Sequence, residues 1–147
     1  MFTRPRRLGR LRSAAVLLSI LGGSAVWIGF AQAPKQNPNF QGTVTPVKEN
    51  SDGNIAHFRF EPGSRTKWHS HERGQIILVE EGVCRSQVKG GPVLELHAGE
   101  TTYAPAGVVH WHGAGPDQGC VQYNISRGGI TWMEEVSDKE FAAPAKK

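Results

Sequence analysis

The sequence of 147 residues lacks several features that would indicate common functions. No segment before the C-terminal tail repeats apolar residues with the 3.6-residue period of a helix. No internal repeat and no glycine-rich phosphate-binding loop is present. Cysteine is also scarce, since Cys84 and Cys120 are the only two. Neither lies beside a candidate base in the sequence, which argues against a cysteine nucleophile.

Net positive charge is missing from most of the chain, although the formal net charge of the whole sequence is +4. Residues 1–33 contain no acidic residue and hold five arginines, so the rest of the chain has 12 basic against 13 acidic residues. The five are Arg4, Arg6, Arg7, Arg10 and Arg12. A near-neutral body does not provide the basic surface that binds phosphate backbones. We therefore predict no nucleic-acid partner.

The N-terminal segment, residues 1–33, is predicted to be a signal peptide or an N-terminal membrane anchor. Its arginines precede an apolar run over 14–30 and a small-residue stretch that ends at Ala33, the order of a secretory signal. Either alternative exports the rest of the chain, to the periplasm or beyond, and residues 14–30 would tether it if uncleaved. In such a compartment Cys84 and Cys120 could form one disulfide or remain two free buried thiols.

The exported part is predicted to be all-β. Residues 34–54 have the composition of a linker or arm, and 55–136 consist of short apolar or alternating runs separated by glycine and proline turns, one of them placed at Glu81–Gly82. Such spacing indicates a sandwich or closed barrel. Residues 137–147 are predicted to form a short helical turn and tail, because Ser137 and Glu140 have capping-box spacing.

Two histidine pairs are the strongest chemical signal. His69 and His71, like His110 and His112, are separated by one residue, which places both imidazoles of a pair on one face of a strand. On another strand Gln122, Asn124 and Ser126 share a face and are predicted to line a pocket. Clustered imidazoles beside an amide are suited to a divalent transition metal.

The frames around these pairs resemble the two motifs of the cupin superfamily. They are Gly63-x5-His69-x-His71-x3-Gln75-x6-Gly82 and Gly99-x5-Pro105-x-Gly107-x2-His110. The resemblance implies the cupin double-stranded β-helix, a jelly-roll barrel. It implies that His69, His71, Gln75 and His110 are metal ligands. Gln75 stands where the family usually has Glu, and Ala114 replaces the final Asn of the second motif.

Longer segments are similar to a group of small bacterial cupins that includes manganese-dependent hydroxynitrile lyases and proteins associated with carboxymuconolactone decarboxylases. These are FEPGSRTKWHSH, GQIILVEEG, HWHGAGPD and TWMEEVSDKEF. The resemblance implies a small-molecule substrate and carbon–carbon lyase activity on aromatic cyanohydrins or related hydroxy and carbonyl compounds. It also implies Mn²⁺ as the first choice of metal, followed by Fe²⁺, with Zn²⁺ or Ni²⁺ as further options, and substrate contacts at Ala56, Phe58 and Ser126.

The catalytic assignments depart from that group at one position. His112 is the candidate base, and Gln122 occupies the place where the lyases carry a further histidine, although an amide cannot act as a base. Asn124 is added to the substrate-binding set because it shares the strand face of Ser126. A dioxygenase similar to quercetin-type cupins and a non-catalytic binding module are the alternatives. We expect a homodimer or a larger homo-oligomer, because exposed strand edges must be covered.

Overall fold

The fold is described from a computed structural model, which covers residues 36–48 and 53–146. The predicted signal peptide or anchor lies outside the described residues. Within them, no helix is both long enough and apolar enough to cross a membrane.

The described part of the chain is mostly β, as predicted, and strands far outweigh helix in it. The twelve strands in these residues are β1 (Phe40–Gln41), β2 (Val44–Lys48), β3 (Ile55–Phe60), β4 (Arg65–Thr66), β5 (His69–His71), β6 (Gln75–Val88), β7 (Val93–His97), β8 (Thr101–Ala104), β9 (His110–Ala114), β10 (Cys120–Ser126), β11 (Ile130–Trp132) and β12 (Ala145–Lys146). A single short helix, α1 (Asp138–Phe141), precedes the last strand in the part of the chain that is described.

The strands form two sheets that share β6. Sheet I has the order β2-β3-β10-β6-β8 and is antiparallel throughout. Sheet II joins the second half of β6 to β9 and β7; β4 and β5 pair with β9, and β1, β11 and β12 extend its edges. Two sheets joined in this way form the double-sheet barrel that the sequence predicts.

Strand β6 runs through the position where the sequence predicts a turn. Glu81–Gly82 is not a turn between two strands, and that prediction is wrong: Gly82 pairs with Cys120 in sheet I and Val83 with His97 in sheet II. Gly82 has a φ of 73°, and a Cβ there would lie 2.1 Å from the carbonyl oxygen of Gly119. Glycine therefore serves a bend that passes the strand from one sheet to the other.

The segment predicted as a linker or arm contributes to both sheets. Within residues 34–54, β1 pairs with β4 of sheet II and β2 pairs with β3 of sheet I. Its polar composition hides this pairing, because an edge strand with one exposed side needs few apolar residues. The arm brings Phe40 against Phe58, with ring centroids 5.3 Å apart.

Both sheets contribute to the core between them. Phe60 and Val79 of sheet I pack with Leu96 and Ala114 of sheet II. Cys84 and Cys120 lie in the same cluster and are joined by a disulfide, with a Cα–Cα distance of 5.4 Å. Of the two alternatives left by the sequence, the structure therefore shows the disulfide.

A second apolar cluster covers the outer side of sheet II. Trp68 and Trp111 are buried there against Val136 and Phe141 of the C-terminal segment. The predicted helical turn is confirmed, because Ser137 caps α1 and forms a complete capping box with Glu140. The C-terminal segment thus closes one side of the barrel.

Candidate metal centre

The barrel brings three of the predicted ligands together. His69 on β5 is the Cα partner of His110 on β9, and their ring centroids lie 4.3 Å apart. His71 lies on the same face of β5, with its ring centroid 5.1 Å from that of His69. One ring nitrogen from each of the three lies within 4.8 Å of the others, and all three residues are buried. Three buried imidazoles at this spacing could hold a metal ion.

Gln75, the fourth predicted ligand, opens β6 beside this cluster. Its Oε1 lies 2.8 Å from Nε2 of His110, and its side chain is buried. A carbonyl oxygen and the lone pair of a neutral imidazole repel each other at this distance unless a cation lies beside them. The amide in this orientation therefore fits a place in a ligand set.

The hydrogen bonds of the rings set their tautomers. His69 donates its Nδ1–H to the carbonyl oxygen of Lys67 at 2.9 Å, and His110 donates its Nδ1–H to that of Val108 at 3.0 Å. A carbonyl can only accept, so the neutral rings keep their lone pairs on Nε2, as metal-bound histidines require. Both ring nitrogens of His71 are buried without a hydrogen-bond partner in the described part of the chain, and a metal ion would satisfy one of them.

Burial also keeps these rings neutral. Desolvation, with a smaller contribution from the neighbouring His110, lowers the pKa of His69 to about 3 and that of His71 to about 4. Burial lowers the pKa of His110 as well. Neutral imidazole is the form that binds metal, so these three rings could bind an ion at neutral pH without losing a proton.

His112 lies beside the cluster but not in it. Its ring centroid is 5.2 Å from that of His69, and burial, followed by the charge of His69, lowers its pKa well below the ordinary value. Nε2 of Gln122 lies 2.6 Å from Nδ1 of His112. With the amide donating, the neutral ring carries its proton on Nε2 and presents a donor.

Gln122 itself does not line the cavity, which corrects the expectation that its side chain would. It is fully buried behind His112, and its Oε1 has no hydrogen-bond partner in the residues described. Its contact with the cavity runs through the imidazole of His112. Gln122 is therefore placed to position His112 rather than to touch a substrate.

A cavity of about 220 Å³ opens above the histidines. All four predicted substrate-binding residues line it: Ala56, Phe58, Asn124 and Ser126. The side chain of Asn124 is buried, and neither its amide nitrogen nor its oxygen has a partner in the described residues. Because an unsatisfied buried amide is costly, this side chain is suited to a ligand that both donates and accepts.

Further residues of the wall are not identifiable from the sequence patterns. These are Asn37, Phe40, Thr66, Ile130 and Trp132. Trp132 pairs with His69 across β11 and β5, and its ring centroid is 4.7 Å from that of His69. Residues far apart in the sequence form this pairing, so no local pattern predicts it. The one sequence feature that points to Trp132 is its place in the segment TWMEEVSDKEF, which carries the family resemblance.

The fold and site define a class of protein: a double-sheet β-barrel with a buried three-histidine centre at the base of a small cavity. Residues 56–124 match the family model described as Cupin domain. A cupin-like protein from Thermotoga maritima, of known structure, is 36% identical to the chain with a TM-score of 0.63, and the alignment covers 76% of this chain and 92% of that one. The chain belongs to the cupin superfamily, and the predicted family and fold are confirmed.

One sequence relative and one structural neighbour are enzymes by name. An (R)-mandelonitrile lyase from Granulicella tundricola is 38% identical over 86 residues, which cover 56% of this chain and 66% of that protein. A polyketide cyclase from Streptomyces resistomycificus has a TM-score of 0.51 at 22% identity, covering 71% of this chain and 77% of that one. The second likeness concerns the fold alone. The relatives of this chain thus include a protein named as an enzyme.

Proposed function

We propose that this cupin is a metal-dependent carbon–carbon lyase that cleaves small aromatic cyanohydrins, or related hydroxy and carbonyl compounds. The observation that carries the proposal is the buried cluster of His69, His71 and His110 with Gln75, at the base of a cavity with aromatic walls. The similarity to a protein named as a mandelonitrile lyase supports the same reaction class.

The metal would be held by these four residues, with Mn²⁺ first and Fe²⁺ second among the candidates. When bound, a divalent ion supplies Lewis acidity toward a hydroxyl or carbonyl oxygen. Gln75 adds no negative charge, unlike the glutamate usual at this position, so a divalent ion would keep its full charge.

Residues of the chain would bind the substrate and carry the proton that the reaction releases. Phe40, Phe58 and Trp132 form an apolar wall for an aromatic ring, and Asn124 and Ser126 offer polar contacts. In the reaction the hydroxyl proton leaves, the carbon–cyanide bond breaks with its electron pair on cyanide, and cyanide takes up a proton. The products are an aldehyde and hydrogen cyanide.

His112 is the candidate carrier of that proton. The amide of Gln122 can donate to Nδ1, which places the proton on Nε2, or, rotated by half a turn, accept from Nδ1–H, which leaves Nε2 free as a base. The unpartnered Oε1 of Gln122 is available for the second arrangement. Burial makes His112 a weak base, so it is suited to a hydroxyl that has already been acidified.

The proposal is tested by metal analysis together with turnover. The purified protein should contain a transition metal and release benzaldehyde from mandelonitrile. The His110→Ala variant should lose both, whereas His97→Ala, which removes an exposed histidine at the end of β7, should retain both. Turnover that survives in His110→Ala contradicts the metal-dependent mechanism. Oxygen uptake with catechols or flavonols in place of aldehyde release would favour a dioxygenase, and ligand binding without turnover a binding module.

We also propose that the protein acts outside the cytoplasm. The Cys84–Cys120 disulfide supports this location, because disulfides persist mainly in oxidising compartments. Cell fractionation and N-terminal sequencing would test it. Recovery of an uncleaved chain in the cytoplasm, with both thiols free, contradicts the proposal.

We further propose a homodimer. In the part of the chain that is described, β2 and β8 each pair on one side only and form the two edges of sheet I. Open edges favour association with another chain. Light scattering on the purified protein should give twice the mass of one chain, and a monomer at all concentrations contradicts the proposal.

A further inference from the structure

Two arginines stand apart from the others. Of the five arginines in the described residues, three form ion pairs with carboxylates. These pairs are Arg59–Glu81, Arg65–Asp138 and Arg85–Glu95. Arg73 and Arg127 have no such partner in that part of the chain, and both line one groove of about 160 Å³. Two unpaired guanidinium groups on one groove leave local positive charge that an anion can neutralise.

The strand register explains why these arginines come together. Ser126, the last residue of β10, is the Cα partner of Gln75, the first residue of β6. Arg127 follows the end of β10, and Arg73 precedes the start of β6 with only Gly74 between. Because the two strands are antiparallel, both arginines leave the ladder at the same end. Their proximity is therefore fixed by the sheet and not by a loose loop.

Three large apolar or aromatic side chains line the groove beside the arginines. Ile76 on β6 pairs with Ile125 on one side and with Tyr103 on the other, and all three line the groove. Ile76 is 43% exposed and Tyr103 is 58% exposed. These exposed apolar side chains and the two arginines give the groove one apolar part and one positively charged part. A ligand that matches the groove therefore has an apolar body and a negatively charged group.

We propose that this groove binds the carboxylate of a small organic acid with an aromatic or branched aliphatic body. The planar guanidinium groups of Arg73 and Arg127 match a carboxylate by paired hydrogen bonds. The hydrocarbon body covers Ile76, Ile125 and Tyr103. An inorganic anion makes no use of these apolar walls, which is why the groove favours an organic acid.

One nearby acid is not paired with the arginines in the described residues. Glu72 precedes Arg73, but its carboxylate lies against Gly128 and Gly129 and forms no ion pair with either arginine. The groove shares Gln75 and Ser126 with the wall of the metal cavity. It needs neither a metal nor lyase activity, so this inference goes beyond the proposed function and does not depend on it.

The test is a binding titration of the purified full chain after removal of metal with a chelator. Benzoate is the probe, benzyl alcohol is its neutral counterpart, and inorganic phosphate is the second anion. Benzoate should bind with a Kd at least tenfold lower than that of either of the other two. Higher ionic strength should weaken its binding.

Variants locate the site. Arg73→Gln combined with Arg127→Gln should raise the Kd of benzoate at least tenfold. Arg59→Gln is the matched control, since it removes an exposed arginine that Glu81 already pairs on sheet I, and should change the Kd less than twofold. His110→Ala should bind benzoate as the unmodified chain does, which separates the groove from the metal centre. Equal benzoate binding by the double variant, or equal binding of benzyl alcohol or phosphate, overturns the proposal. Circular dichroism on each variant confirms that it is folded.

Discussion

Removal of the Cys84–Cys120 disulfide should lower the free energy of unfolding by about 4 kcal/mol. The two cysteines are 36 positions apart in the sequence. A cross-link that closes a loop of this length restricts the unfolded chain by about 4 kcal/mol in the chain-entropy model. The disulfide also joins β6 to β10 inside the core, where both cysteines are essentially unexposed. New contacts with water therefore do not compensate for its removal.

The assay is urea unfolding of the combined Cys84→Ala and Cys120→Ala variant, followed by tryptophan fluorescence. The unmodified chain in a thiol reductant is the control, because it opens the same loop and keeps both sulfur atoms in the core. Both samples should lose stability, and the variant should lose slightly more because it also leaves a small cavity. A loss below about 1 kcal/mol in the reduced chain would refute the loop argument.

Three further predictions concern the site and the C-terminal segment. Gln75→Glu should tighten divalent-metal binding at least tenfold in a chelator competition, since it adds a charge to the cluster; unchanged binding and metal preference would count against Gln75 as a ligand. In metal-free protein the pKa values of His69 and His71 lie well below the value of about 6.5 expected in the unfolded chain. The unfolded state therefore binds more protons than the folded state below pH 6.5. When the pH falls from 7.5 to 5, the free energy of unfolding measured in urea should fall by about 2 kcal/mol for each histidine that stays neutral in the folded protein. Ser137→Ala should lower the free energy of unfolding by about 1 kcal/mol, because it removes the helix cap and its hydrogen bond with the backbone N–H of Glu140. Urea unfolding should show this loss with an unchanged dependence of the free energy on denaturant concentration.

Sequence patterns over a few residues were sufficient to predict the centre of the candidate site. His69 and His71 share a strand face because one residue separates them, and this relation holds whatever the rest of the fold does. The same alternation places Asn124 and Ser126 on the cavity side of β10. The capping box at Ser137 is also local, and the structure contains it. Each of these features depends on residues a few positions apart.

Such patterns could not predict which strands pair when they lie far apart in the sequence. The ring of Trp132 reaches the histidine cluster only because β11 pairs with β5, and no local pattern predicts that pairing. The same is true of Phe40, which enters the cavity from a strand of two residues in a polar segment. Gly82 has the sequence appearance of a turn, but its positive φ serves a bend within one long strand.

The charge of the cavity links the sequence reasoning to the chemistry. None of the residues that line it in the described chain is an aspartate or a glutamate, and the nearest groups are neutral imidazoles and amides. Charge inside a low-dielectric cavity acts more strongly than charge in water. A divalent ion held by His69, His71, His110 and Gln75 would therefore keep its attraction for an anionic or developing anionic oxygen. The replacement of glutamate by Gln75 is thus the sequence feature with the largest expected effect on which ligands the site accepts.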